Sequence, residues 1–228
     1  MALTLNGTTG ISGVNGSASA PSVVGSDSNT GVAFASDTVL FSTGGSERAR
    51  IDSSGDLLLG KVSSDVNSTG VELKANGQSK FTRSSGTPVV VNRNTNNGIC
   101  VLFSRSGTGV GSVTVTTSST AFNTSSDYRL KENVVAISDG ITRLKTLKPY
   151  RFNFKANPTT TVDGFLAHEV TAVPEAITGT KDEVDSDNNP VYQGIDQSKL
   201  VPLLTAALQE AVAKIETLET KVAALEAA

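Results

Sequence analysis

Toward the C-terminus of the chain, eight apolar residues recur at alternating spacings of three and four. This 3.5-residue period is typical of a coiled-coil helix, whose a and d positions face partner helices. An amphipathic helix packed on its own domain is the alternative. The strict period favours a short parallel coiled coil, and these residues alone do not decide between two and three strands. We call them the seam: Val201, Leu204, Leu208, Ala211, Ile215, Leu218, Val222 and Leu225.

The rest of the chain has two unlike parts that meet at residues 125 and 126. Of the 21 glycines, 17 precede residue 126 and 4 follow it. The first part is rich in Ser, Thr and Asn, and its apolar clusters alternate with turn signals such as Asn76-Gly77. Disorder is the alternative, but the regular clusters favour short strands over residues 31–34, 38–41, 56–60, 69–73, 88–91, 99–103 and 112–116. A lone chain of this kind would bury little and would expose strand edges, so we expect it to intertwine with identical copies.

The second part, residues 126–228, has a mixed α+β pattern. Apolar residues at helical spacing predict a helix over residues 140–147, which stops before Pro149. Alternation predicts strands over 150–154 and 163–167, followed by a helical turn over 168–172. The acidic, polar stretch 180–190 reads as a hairpin tip or loop, and residues 198–228 form the coiled-coil helix.

Composition argues against several functions. A net charge of −3 without a basic cluster argues against nucleic-acid binding. We expect no membrane insertion, no secretion leader, and folding in a cytoplasm, because no long apolar run occurs. Cys100, the single cysteine, is expected to be a small buried apolar residue. No metal or other cofactor is expected, since the acidic loop lacks the ordered spacing of a cation site: Asp182, Glu183, Asp185 and Asp187.

The boundary between the two parts carries Ser126-Asp127-Tyr128-Arg129-Leu130-Lys131. A serine hydroxyl attacks an amide only when a base activates it. Lys131 is one candidate base, since Ser–Lys pairs are a known variant of the Ser-His-Asp arrangement, and His168, the single histidine, is the other. A lysine serves as a base near neutrality only if desolvation or a nearby cation, here Arg129, lowers its pKa from about 10.4.

The spacing of Ser126 and Lys131 does not by itself establish a catalytic pair. On a helix the two side chains would lie roughly 140° apart, and on a strand they would point to opposite faces. They can meet only across a turn or bulge, or between neighbouring chains. The alternative interpretation is a helix start, with Ser126 as the cap and Asp127 in the first turn.

The motif is the first of four ordered blocks in the second part. The others are Leu147-Lys148-Pro149-Tyr150-Arg151-Phe152, Gly164-Phe165-Leu166-Ala167-His168-Glu169-Val170 and Ile195-Asp196-Gln197-Ser198-Lys199-Leu200-Val201-Pro202-Leu203-Leu204. These blocks resemble the C-terminal intramolecular chaperone domain of phage tail spikes and tail fibres, the autocleaving peptidase S74 type found in endosialidase tailspikes. His168 stands where that family usually has Gln, and Gln197 where it usually has an aromatic residue. The first part resembles phage fibre shafts only loosely, in its general composition.

The resemblance implies a homotrimer in which this domain helps the upstream fibre to fold in register. The domain is then released by a cut before the motif serine. Ser126 would be the nucleophile, Lys131 its base, and the peptide bond between Ser125 and Ser126 the cleavage site. The implied fold is a mainly β, intertwined trimeric fibre region over residues 1–125, followed by an α+β chaperone domain over 126–228 that ends in a trimeric parallel coiled coil.

The implied protein is a single-turnover autoproteolytic serine peptidase of the virion tail fibre, with other tail proteins and a host receptor as further candidate partners. Ser126 would attack the carbonyl before it, or the same bond of another chain, and Ser125 is a rival nucleophile. Two other functions stay open: a non-cleaving structural fibre with a permanent C-terminal trimer cap, and a host-glycan-binding adhesin. No aromatic cluster in the first part favours the adhesin, because all three tyrosines follow residue 126.

Overall fold

The computed structural model describes residues 4–6, 10–12 and 15–227. The chain divides after Ser126 into two compact units, which we call the β unit and the C-terminal unit. This division lies one residue beyond the boundary expected from the sequence. In the described ranges, no helix is both long enough and apolar enough to cross a bilayer.

The β unit is built from short antiparallel strands. Strands β3 to β9 form one seven-stranded meander, β10 to β12 form a three-stranded sheet, and β1 pairs with β2. Tight turns join many of them, such as the one between β5 and β6, where Gly44 and Gly45 adopt φ values of 58° and 73° that favour glycine. The strands are β1 (Thr4–Asn6), β2 (Gly10–Ser12), β3 (Val23–Val24), β4 (Gly31–Ala35), β5 (Thr38–Thr43), β6 (Ser46–Ile51), β7 (Leu57–Leu59), β8 (Gly70–Leu73), β9 (Ser79–Thr82), β10 (Gly98–Arg105), β11 (Thr108–Val115) and β12 (Thr120–Thr124).

Most of the strands expected from the apolar clusters are present, and the mainly β character of this unit is confirmed. The strand expected over residues 88–91 is wrong: these residues are irregular and exposed. Pro88 has no N–H to give to a ladder, so three valines after it do not make a strand. The sequence reading missed β6, β9 and β12, whose side chains are largely polar.

One face of the seven-stranded sheet is a continuous apolar surface. Three exposed aromatic residues on it, Phe34, Phe41 and Phe81, leave 41%, 41% and 46% of their area in contact with solvent. Of the described residues in this unit, Ala33 and Leu58 are the buried apolar ones, so the single chain has almost no core. The cross-strand row on this face consists of Val32, Phe41, Ala49, Leu59, Val71 and Phe81.

The other face of the sheet holds a cluster of charges around Glu72. The Glu72 side chain is fully buried. The ammonium groups of Lys61, Lys74 and Lys80 lie 3.4, 3.2 and 3.0 Å from its carboxylate oxygens. Lys61 is itself 2% exposed. The Ser64 hydroxyl also donates to Glu72, and this hydrogen bond, together with Lys80 and Lys74, holds the pKa of the carboxyl down at about 2 against the cost of burial.

The Glu72 cluster predicts a loss of stability in acid. Folding lowers the pKa of Glu72 from 4.5 to about 2, so the folded chain binds this proton more weakly than the unfolded chain. Its contribution is therefore fully present above about pH 4.5 and is lost as the pH falls toward 2. The melting temperature of the β unit should drop across this window, and Glu72→Gln, which has no proton to titrate there, should show a shallower drop. An unchanged melting temperature of the parent protein from pH 4.5 to 2 would contradict the prediction.

The C-terminal unit combines two small sheets with two helices. Strands β13 (Tyr150–Phe154) and β14 (Asn157–Gly164) form a hairpin, and β15 (Ile177–Thr178) pairs with β16 (Gly194–Ile195). The helices are α1 (Gly140–Leu144) and α2 (Val201–Glu226), with 3-10 helices at Tyr128–Leu130, Ala167–Glu169, Pro174–Ala176 and Gln197–Leu200. The strand expected over residues 163–167 is therefore misplaced. It begins at Asn157 and ends at Gly164, because Asn157 and the residues from Thr161 to Gly164 pair with β13.

Helix α2 closes the core of this unit with its first turns. Leu203 packs with Leu200, Val170 and Val173 in one buried cluster. Residue 140 has to be glycine at this packing distance, because a Cβ there would lie 2.5 Å from the backbone nitrogen of Ala207. The Glu210 carboxylate of α2 accepts hydrogen bonds from the backbone N–H groups of Gly140 and Ile141 at the start of α1. The long C-terminal helix is confirmed, and its first half is held by its own unit.

Candidate functional site

The residues before the predicted cut are attached to the three-stranded sheet. Strand β12 ends at Thr124, and the next residue, Ser125, donates its backbone N–H to the carbonyl oxygen of Val110 at 3.2 Å. Both Ser125 and Ser126 are exposed. The backbone of Ser125 is thus held at the end of the strand by its N–H hydrogen bond, and the Ser126 side chain that follows is accessible to solvent.

A single turn of 3-10 helix follows. Asp127 occupies the N-cap position in extended conformation, with φ −63° and ψ 138°, and its carboxylate accepts from the backbone N–H of Arg129 at 2.9 Å. The helix-start interpretation therefore needs a correction, because Asp127 rather than Ser126 is the cap. A short polar side chain before the turn favours this geometry, since it satisfies an N–H that the turn leaves unpaired.

Lys131 ends this 3-10 turn. Its backbone is extended, with φ −123° and ψ 142°, and its N–H donates to the carbonyl of Tyr128 at 3.0 Å. The Lys131 side chain is exposed in the single chain. The chain from Asp127 to Lys131 therefore forms a tight turn. It is neither a regular α-helix nor a strand, the two conformations in which the side chains of Ser126 and Lys131 would point apart.

The charges of the turn are arranged around Asp127. The Arg129 guanidinium donates to both carboxylate oxygens, at 2.9 and 2.7 Å. This contact holds the pKa of Asp127 below its usual value, with a further contribution from the Lys131 charge, and raises the pKa of Arg129. In the single chain, the Arg129 charge that was expected to assist Lys131 is paired with Asp127.

A second polar cluster, missed in the sequence, lies at the start of the β13–β14 hairpin. The Tyr150 hydroxyl donates to Glu169 Oε2 at 2.7 Å, and Lys148 Nζ lies 3.4 Å from Oε1. The tyrosine hydrogen bond lowers the pKa of Glu169 and raises that of Tyr150. His168 is exposed on the 3-10 helix Ala167–Glu169. The signal in the sequence was that Lys148 and Tyr150 lie in one of the four ordered blocks and Glu169 lies in the next.

The acidic loop is an ordinary turn. Asp185 accepts hydrogen bonds from the backbone N–H groups of Asp187 and Asn189, which lower its pKa. Among the residues described, no group of three His, Cys, Asp or Glu side chains has the arrangement of a metal site. Cys100 is partly buried with a free thiol.

Comparison with known proteins finds a match for the first half of the C-terminal unit. Residues 126–178 match the family model of peptidase S74, described as the chaperone of endosialidase. The match begins at Ser126 and includes the 3-10 turn, helix α1, the β13–β14 hairpin and the Glu169 cluster. No curated protein matches the chain. The resemblance found in the sequence is thus confirmed over residues 126–178, which match the endosialidase-chaperone family model.

Proposed function

We propose that this chain is a phage tail fibre protein whose C-terminal unit drives trimerisation and folding and is then released by self-cleavage before Ser126. The observation that carries the proposal is the position of the family match. It starts at Ser126, within one residue of the division between the two units. A cut of the peptide bond before Ser126 would take only the last residue from the β unit and would leave the C-terminal unit whole. After the cut, the β unit would remain in the virion tail, with other tail proteins and a host receptor as partners.

Assembly from identical copies is supported by what the single chain leaves uncovered. The apolar face of the seven-stranded sheet and the seam of α2 both expose rows of large apolar side chains, and contiguous exposed apolar patches mark surfaces that bind partners. In the three-stranded sheet, Phe122 is 84% exposed. A homotrimer would bury these surfaces between chains and so supply the core that each β unit lacks. The C-terminal unit has its own core, so it can fold first and align the three chains.

The proposed reaction is an acyl shift followed by hydrolysis. Ser126 Oγ gives its proton to Lys131 Nζ and attacks the carbonyl carbon of Ser125 through a five-membered ring. The bond from that carbon to the Ser126 nitrogen breaks, and the nitrogen takes a proton. The resulting ester is hydrolysed by water, which leaves a carboxylate on Ser125, and a free amine and hydroxyl on Ser126. Lys131 is exposed in the single chain, so neighbouring copies have to bury it before it can act as the base.

Ser126→Ala tests the proposal. Wild-type protein expressed in a host without other phage genes should give two bands on a denaturing gel, corresponding to residues 1–125 and 126–228, and Ser126→Ala should give one. Lys131→Met should slow the cut by several orders of magnitude, since general-base catalysis typically contributes about 10²–10⁴-fold. Ser85→Ala, at another exposed loop serine, is the matched control and should behave as wild type.

A wild-type chain that assembles and stays whole would contradict cleavage. It would support the alternative of a structural fibre with a permanent C-terminal cap. An uncut chain that stays monomeric would contradict the trimer as well.

A further inference from the structure

Helix α2 has two apolar faces, of which one is buried and the other exposed in the single chain. One face, Leu203, Ala206 and Ala207, is buried against its own unit. The seam lies on another face, where Leu204 and Leu218 are 45% and 59% exposed. Beyond Glu210 the helix buries no residue in the described chain. The seam is therefore free to receive a partner along its whole length.

Charged residues flank the second half of the seam in an ordered way. In a heptad, g precedes each a residue and e follows each d residue. The a residues Val201, Leu208, Ile215 and Val222 place Lys214 and Lys221 at g, and the d residues place Glu219 and Glu226 at e. Every g charge in this half is thus positive and every e charge negative.

This arrangement distinguishes the orientations of two neighbouring helices. In a parallel, in-register pair, g faces the e residue five positions later on the other helix, so Lys214 meets Glu219 of the second copy and Lys221 meets Glu226. In an antiparallel pair, g faces g and e faces e, so lysine meets lysine and glutamate meets glutamate. A parallel slip that brings Lys221 beside Glu219 leaves Lys214 beside Val212 and loses one of the two pairs.

The first half of the helix carries no charged pairs that would distinguish parallel from antiparallel neighbours. Its g positions, Leu200 and Ala207, are buried in the core of their own unit at 4% and 2% exposure. Its e positions, Thr205 and Val212, carry no charge. Selection of orientation and register is therefore confined to the two heptads that extend past the unit.

We propose that the seam is covered by a second copy of this chain, parallel and in register, and that the pairs Lys214 with Glu219 and Lys221 with Glu226 set this alignment between copies. The inference rests on the proposed assembly and adds the residues that align the chains. It does not depend on cleavage.

The test is charge reversal in the full chain carrying Ser126→Ala, so that the chain stays whole whether or not the wild type cuts itself. Glu219→Lys with Glu226→Lys turns every flanking pair repulsive. At low salt, the concentration at which the assembly dissociates should rise roughly tenfold or more, and the difference should shrink at high salt. The change cannot act by weakening the helix itself, since Glu219→Lys places a lysine three residues after Glu216, which favours the helix. Light scattering or sedimentation gives the measurement.

A restoring variant is the matched control. Adding Lys214→Glu and Lys221→Glu to the reversed chain makes the pairs attractive again with exchanged signs, and the dissociation concentration should return toward that of the parent. In a Cys100→Ser background, Leu218→Cys should form a disulfide between copies under mild oxidation, because parallel, in-register d residues face each other. Three outcomes would overturn the inference: a monomeric parent, a reversed chain that assembles as tightly as its parent at low salt, or no recovery in the restoring variant.

Discussion

Glu72→Ala is expected to destabilise the β unit more than the removal of a buried leucine. The substitution removes the closer of two carboxylates from Lys61, whose side chain is 2% exposed, and leaves only that of Asp65 at 3.8 Å. Breaking a buried pair on one side is far more damaging than replacing both partners, because the remaining charge stays desolvated and has lost its buried counter-charge. Denaturant melts of the variant should therefore show a larger fall in midpoint than Leu58→Ala, itself expected to cost about 2–5 kcal/mol.

The double variant Lys61→Met with Glu72→Met separates charge from packing. It removes both buried charges while keeping long side chains, so it should recover much of the stability that Glu72→Ala loses. Lys74 and Lys80 are 24% and 21% exposed and can turn to water. A Glu72→Ala midpoint within error of the parent would mean that the cluster is not coupled to folding.

Leu203→Ala and Leu218→Ala are expected to weaken different properties, although both residues lie on α2: the first the folding of the C-terminal unit, the second assembly between copies. Leu203 is 2% exposed inside the core of the C-terminal unit, so its truncation should cost about 2–5 kcal/mol of unfolding free energy. Leu218 belongs to the seam and should change the stability of a dissociated chain by only about 0.5 kcal/mol, while weakening assembly strongly.

The two effects are read separately. Denaturant melts at a concentration where the chain is dissociated report the unit, and molar mass against concentration reports assembly. If Leu218→Ala unfolds the dissociated chain as much as Leu203→Ala does, the seam is part of the internal core rather than a surface for other copies.

The sequence predicted the elements whose apolar residues follow a clear period. The seam predicted α2, an apolar cluster predicted β4, and alternation predicted β13. The strands β6, β9 and β12 were missed because backbone pairing, rather than apolar side chains, places them in their sheets. The strand predicted over residues 88–91 was wrong for the opposite reason. That prediction rested on apolar side chains, a run of three valines, although Pro88 has no N–H to donate to a strand ladder.

The candidate site could be predicted only in part, because its arrangement depends on turns and registers. The motif indicated Ser126 and Lys131, but not that Asp127 would cap the turn and take Arg129 as its partner. The buried face of α2 had a readable signal, since Leu200, Leu203 and Ala207 repeat at spacings of three and four beside the seam. The Glu72 cluster had almost none: its three lysines are spread over 20 residues (61 to 80), and only the strand pairing that sets Glu72 opposite Lys80 brings them together.

The most direct test of the central claim is the intact mass of the purified wild-type protein, combined with N-terminal sequencing of every fragment. The account predicts two species, and a new N-terminus at Ser126 that begins Ser126-Asp127-Tyr128. A new N-terminus at Ser125 would make the rival serine the nucleophile and contradict the assignment of Ser126. A single species with the mass of the whole chain, found in protein that has assembled, would contradict self-cleavage itself.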